Sequence, residues 1–301
     1  MENNKIPKLK EINSINAHID IINTISIFPS GNIISVSHDF SIKIWDPHFN
    51  IIQKILKAHI DNIIYVCIIN ENNFVTCSWK VIKTWNKKNS FENIFTLNNE
   101  INNAHNDWIN KLIYSSKDNL ISCSQDKTIK IWEKNNNNNF QSITTLTHSD
   151  WIYSILLLED KNTLISSGID GTKFWNLNNF ENYNFQNVQC WNNNGLKRID
   201  IDRIIVSGEG GLMKVISISK KMIIKEINNI CICWGICIIK NKGIFLTGGE
   251  SFDVRIFRYD NYECIQVIEN AHKDYIYGFI QLNNDSIISY GWDNNMKIWS
   301  F

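Results

Sequence analysis

Short stretches in which apolar and polar residues alternate return along this chain every 40 to 47 residues. Residues 122–133, SCSQDKTIKIWE, show the pattern most clearly: Ile129 and Ile131 alternate with Thr128, Lys130 and Trp132, and Gln125-Asp126-Lys127 supplies a turn. A period of two in β-branched and aromatic residues, broken by a polar turn, predicts strand, turn, strand. Residues 35–45 (SVSHDFSIKIW) and 289–299 (SYGWDNNMKIW) repeat the same Ser, Asp and Trp at the same offsets. Residues 76–85, 166–175, 207–216 and 247–257 are weaker copies.

Seven copies at this period, each followed by further strand-like sequence, predict an all-β architecture: a seven-bladed propeller of four-stranded antiparallel blades, filling residues 1–301 as one unit. An outer strand is expected after each ending, at residues 51–57, 91–97, 140–146, 181–187, 222–227 and 264–269. The last copy ends at Trp299 with no such run behind it, whereas residues 8–15 supply one before the first complete unit. The N-terminal strand should therefore complete the last blade and close the ring, which pairs an otherwise exposed edge and ties the two termini together. The Asn run at 134–139 lengthens the third unit and reads as a solvated loop.

Composition narrows the function classes. Thirty basic and thirty acidic residues give a net charge of zero, so no whole-molecule field draws the chain to nucleic acid or an anionic membrane. No apolar run approaches a membrane span, and the polar N-terminus lacks a signal-peptide core. The eight cysteines are scattered without a paired framework, as free thiols in a reducing compartment would be. A cytoplasmic or nuclear protein is expected.

The repeat resembles that of the WD-repeat family over essentially the whole length. An Ala-His or Thr-His pair stands about 17 residues before the strand Ser or Thr in five units, at His18, His59, His105, His148 and His272, although the family usually has Gly before that His. One unit ends in a literal Trp-Asp, at Trp45-Asp46. The resemblance implies a hydrogen-bonded His, Ser/Thr, Asp and Trp inside each blade. The full sets would be His18, Ser35, Asp39 and Trp45; His105, Ser122, Asp126 and Trp132; and His272, Ser289, Asp293 and Trp299. His148, Ser166, Asp170 and Trp175 fit with one residue fewer. The second unit keeps His59, Thr76 and Trp85 but has Trp79-Lys80 where Asp belongs; the fifth and sixth lack the His and end in Ile216 and Phe257, so apolar packing should replace the polar ties there.

Ser, His and Asp together also suggest acyl-transfer chemistry, which needs a nucleophile, a base and an orienting carboxylate. Catalysis needs one such group in one cleft; several copies at equal spacing behave as a structural tie, and buried polar groups must find partners in any case. No enzyme activity and no cofactor are expected. Cys231, Cys233 and Cys237 are evenly separated along a predicted strand, which places them on one face as packing instead of converging on a metal. Gly208-Glu209-Gly210-Gly211 precedes no helix, so it is no phosphate loop.

The tryptophans outside the repeat endings carry the functional expectation. Trp108 and Trp151, like Tyr275, follow the His by three residues; Trp79 and Trp292, like His38, stand at or before the Asp position; Trp191 and Trp234 fall in the entry loops of the fifth and sixth units. The resemblance places these loops on one face around the central channel. Trp and Tyr concentrate binding energy at interfaces, so these residues are the candidate partner-binding set. Asp20, Asp61, Asp107, Asp150 and Asp274 repeat two residues after the His, first as backbone caps; acid beside aromatic would favour a basic partner segment. Arg is scarce at these positions, which argues against a phosphopeptide reader. The expected role is a protein-interaction scaffold, a subunit or adaptor of a multiprotein complex, with small-molecule binding not expected. A ubiquitin-ligase substrate receptor is the alternative, weakened because Trp45-Asp46 is followed by Pro47-His48; an enzyme or a nucleic-acid binder is a more distant one.

Overall fold

The computed structural model describes residues 8–89, 94–136, 139–185, 187–190, 194–228 and 231–301. These form seven antiparallel sheets of four strands each. The first blade is built from Ile22–Ile27, Ile33–Ser37, Ile42–Trp45 and Ile51–Ile55, hydrogen-bonded in that order from the channel outward. The next five blades repeat the order. The seventh combines Ile276–Gln281, Ile287–Gly291 and Asn295–Ser300 with the N-terminal strand Lys10–Asn16, which pairs antiparallel to Asn295–Ser300 with Ile15 opposite Met296. The ring is thus closed by strand pairing, and each inner strand contacts its neighbours around the channel.

Alternation along a strand sends successive side chains to opposite faces, and in a propeller each face meets a different blade. Ile34 and Val36 pack toward the second blade with Val66 and Phe74, whereas Ile33 and Trp45 pack toward the seventh with Ile288 and Met296. Seven such apolar clusters fill the seven blade interfaces. Burial on both faces explains why the second strands read as near-continuous apolar runs broken only by Ser or Thr.

Two sequence expectations are corrected by register. The outer strand of the second blade is Phe95–Ile101, later than residues 91–97, and residues 90–93 lie outside the described residues. The even spacing of Cys231, Cys233 and Cys237 does not put them on one face. A β-bulge between Cys233 and Gly235 breaks the alternation. Cys233 accordingly packs with Ile236 and Phe245 toward the fifth blade, and Cys237 with Ile239 and Leu246 toward the seventh.

Candidate functional site

Each polar set is assembled by the same three pieces: the turn entering the inner strand brings the His, the second strand brings Ser or Thr, and the third strand brings Trp. In the third blade His105 Nε2 lies 2.7 Å from Ser122 Oγ, Trp132 Nε1 donates to Ser122 Oγ at 2.9 Å, and His105 Nδ1 lies 2.8 Å from Asp126 Oδ2. The protons follow from the donor inventory. A carboxylate only accepts, so His105 Nδ1–H donates to Asp126; an indole only donates, so Ser122 accepts from Trp132 and gives its own O–H to His105 Nε2. The same geometry holds at His18, Ser35, Asp39 and Trp45 (2.8, 2.9 and 3.0 Å), at His272, Ser289, Asp293 and Trp299, and at His148, Ser166, Asp170 and Trp175.

Burial holds the imidazoles of His18, His105 and His148 below their ordinary pKa, against the raising effect of their Asp partners. Burial opposes ionisation of the carboxylates too, but hydrogen bonds and the neighbouring His outweigh it and hold Asp39, Asp126 and Asp170 well below the usual carboxylate range. Asp293 is held at about 2 by the same balance with His272. A neutral His locked between Asp and a Ser that is itself fully buried has no substrate to reach, so the arrangement is a tie between strands.

The other blades show what replaces the tie. In the second, His59 Nε2 meets Thr76 Oγ1 at 2.7 Å and Trp85 donates to the same oxygen, with burial, and the Lys83 charge adding to it, pushing His59 down to about 3. In the sixth, Phe257 stacks on Phe245 with ring centroids 5.1 Å apart, and Thr247 Oγ1 is buried without a partner among the described residues. In the fifth, the register places Val206, not Ser207, opposite Lys214, where Ser35, Ser122 and Ser289 face Lys43, Lys130 and Lys297. The copy there begins one residue earlier than the Ser suggests, since Val206 precedes Lys214 by the same eight residues that separate Ser35 from Lys43.

These pairings expose a component that the Ser, His, Asp and Trp pattern passes over. A Lys or Arg lies two residues before each repeat ending: Lys43, Lys83, Lys130, Lys173, Lys214, Arg255 and Lys297. Lys83, Lys130 and Lys173 donate to the carbonyls of Ala58, Ala104 and Thr147, the residues preceding the His, at 3.0, 2.6 and 3.2 Å, and Lys43 does the same to Ala17. Seven basic residues at one offset were the available signal.

The candidate partner-binding residues gather at the end of the ring where the inner strands begin. Backbone hydrogen bonds join the position after the His to the position before the Asp within a blade: Gln125 N to Trp108 O, Ile169 N to Trp151 O, Trp292 N to Tyr275 O and His38 N to Ile21 O, all 2.9 to 3.1 Å. Asp20, Asp61, Asp107, Asp150 and Asp274 each accept the backbone N–H of the following residue at 2.7 to 2.8 Å. Trp234 belongs to the inner strand Cys233–Ile239 instead of the loop before it, because pairing there begins at Cys233 opposite Gly249. Trp191 lies outside the described residues.

Two aromatic groups result. Over the sixth and seventh blades, Tyr275 and Trp292 meet at 4.9 Å between centroids, Trp234 stacks on Tyr275 at 5.9 Å and touches Tyr277 at 5.4 Å, and Phe252 approaches Tyr275 at 5.8 Å. The indole N–H groups of Trp234 and Trp292 have no acceptor among the described residues. Over the first and second blades, Trp79 and Phe40 are 40% and 39% exposed, and Ile19 and Ile60, directly after their His residues, are 85% and 90% exposed. The corresponding positions elsewhere are Asn106, Ser149 and Lys273, so Ile at two of them is a signal in the sequence that the aromatic pattern does not include. Trp151, against Tyr153, is also exposed, and Trp108 and His38 are half-buried.

Phe40, Trp79 and Phe252 have φ of 62°, 44° and 62°. Gly and Asn occupy such left-handed positions with little strain, as Gly210 and Asn294 do in other blades, whereas a bulky side chain there costs roughly 1–2 kcal/mol.

The family model described as WD domain, G-beta repeat matches residues 9–46 and 94–133, and the seven-blade ring superimposes on the crystal structure of the WD40 beta propeller domain of Doa1 with a TM-score of 0.76 over 98% of both chains. The chain folds as a seven-bladed β-propeller, with WD-repeat matches in two of its segments. Sequence identity to that structure is 17%, so the likeness is one of fold. The chain is also similar to Nuclear distribution protein PAC1 of Arthroderma benhamiae, 29% identical over 142 residues, and to Nuclear distribution protein nudF 1 of Talaromyces marneffei, 31% identical over 134 residues. These matches take in 43% and 42% of this chain and only 30% and 28% of the relatives' own lengths.

Proposed function

We propose that this WD-repeat propeller is a non-enzymatic protein-interaction scaffold, a subunit or adaptor of a larger assembly, that seats a partner segment across the aromatic face formed by His38, Trp79, Trp108, Trp151, Trp234, Tyr275 and Trp292. The carrying observation is the placement of Phe40, Trp79 and Phe252 at left-handed turn tips on that face. The same turn tip is Lys127, Gly171 and Asn294 in the third, fourth and seventh blades; Phe40 and Trp79 put large apolar side chains there, 39% and 40% exposed, which supports a surface kept for contact. Exposed Ile19 and Ile60 extend the apolar area, and the carboxylates of Asp20 and Asp61 near His38 favour a partner segment carrying Lys or Arg.

Affinity purification of the full chain, with identification of a stoichiometric partner, tests this. The Trp108→Ala, Trp292→Ala double variant should lose that partner while keeping the parent's circular dichroism spectrum. Phe40→Asn should weaken retention yet raise the unfolding stability by about 1 kcal/mol, because Asn tolerates the left-handed position. Retention of the partner by both variants would remove this face from the assignment.

A further inference from the structure

The second functional feature lies in the channel, opposite the aromatic face. Toward the end where the inner strands finish, the channel wall opens into a cavity of about 680 Å³ lined by Tyr65, Lys111, Leu156, Lys197 and Arg198, with Glu159 and Asp160 at its mouth. Lys111, on the inner strand of the third blade, is almost fully buried, and its Nζ donates to Ser154 Oγ of the fourth blade at 3.1 Å. Lys197, on the inner strand of the fifth blade, has no hydrogen-bond or ion-pair partner among the described residues.

The available carboxylates do not answer these cations. Asp160 is taken by a bidentate pair with Arg198, both contacts at 2.7 Å, and Glu159 accepts the backbone N–H of Ser116 at 2.6 Å. The other groups facing the two lysines are each other and the thiols of Cys67, Cys123, Cys190 and Cys237. Burial pushes Cys67 and Cys123 up to about 12 and Cys237 up to about 11, so these three are uncharged at neutral pH. Lys111 is thus a buried ammonium without a counter-charge, which either gives up its proton or acquires an anion, and the partly buried Lys197 adds a second cation to the same cavity.

We propose that this end of the channel is a binding site for a multivalent oxyanion, phosphate free or borne on a small organic molecule, held between the ammonium groups of Lys111 and Lys197. Two cations facing one cavity suit a ligand with two or more charged oxygens, since a monovalent anion leaves one lysine unanswered. Burial, with Lys197 adding to it, pushes Lys111 down to about 7. An anion binding the protonated form raises that value, so affinity should fall as pH rises from 6 to 9.

The test is calorimetric titration of the full chain with inorganic phosphate, pyrophosphate and a sugar bisphosphate, with chloride at matched ionic strength as reference. Saturable binding of one equivalent, weakened about tenfold or more in Lys197→Met and in Lys111→Met, is the expected result. Preference for the sugar bisphosphate would identify an organic carrier, and equal affinity for pyrophosphate a free polyphosphate. Lys111→Met should unfold at or above the parent's midpoint without anion, which separates lost binding from lost folding; Lys197→Arg should retain binding. Enthalpies no different from chloride, or affinity unchanged in both methionine variants, would overturn the site.

Discussion

Replacing His105 with alanine cuts one polar tie at its centre, and the structure fixes the consequences. Ser122 keeps the indole donor of Trp132 at 2.9 Å but loses the acceptor for its own proton, in a site with no solvent access. An unsatisfied buried hydroxyl costs about 1–3 kcal/mol. Asp126 loses its contact with His105 but retains the N–H groups of Asn106 and Thr128, both at 2.9 Å, and the Thr128 hydroxyl at 2.6 Å. That charge-assisted bond is worth roughly 1.5–3 kcal/mol, giving a combined loss of about 3–5 kcal/mol. At roughly 2 °C per kcal/mol for a chain of this size, the unfolding midpoint should fall by about 6–10 °C. Differential scanning calorimetry with urea unfolding measures it. Adding Ser122→Ala to His105→Ala should cost less than the sum of the single losses, because the orphaned hydroxyl is removed. A midpoint within 1 °C of the parent, or strict additivity, would refute the assigned proton directions.

Acid should weaken the propeller before any carboxylate titrates. His59 folds with a pKa of about 3, so below 6.5 the unfolded chain binds a proton that the folded chain refuses, and stability falls with pH. His59 alone accounts for about 2 kcal/mol between pH 8 and 5; His18, His105 and His148 act in the same direction, and Asp39, Asp126, Asp170 and Asp293 add to the loss below about pH 4. A midpoint that is flat from pH 7 to 5 would contradict the buried neutral imidazoles. Gly235→Ala should destabilise by about 2 kcal/mol or more, since its Cβ would lie 2.7 Å from Gly278 Cα on the neighbouring inner strand; unchanged urea unfolding would show that these two strands can move apart.

The sequence by itself determined the number of blades, the closing role of the N-terminal strand and which side chains meet in each full polar tie. Each of these recurs at a fixed offset, and comparison among copies substitutes for coordinates. His105, Ser122, Asp126 and Trp132 belong to adjacent strands of one blade, so the connecting turns alone bring them together. What only the tertiary structure decided depends on register or on contacts between blades. The bulge at Cys233 divides two cysteines between opposite faces, and the strand register of the fifth blade puts Val206 where Ser207 seemed to belong. Phe40, Trp79 and Phe252 share a left-handed turn conformation that differing turn lengths conceal in the sequence. Lys111 and Lys197 occupy non-repeated positions two blades apart, and they become one site only because closing the ring turns every inner strand toward the same axis.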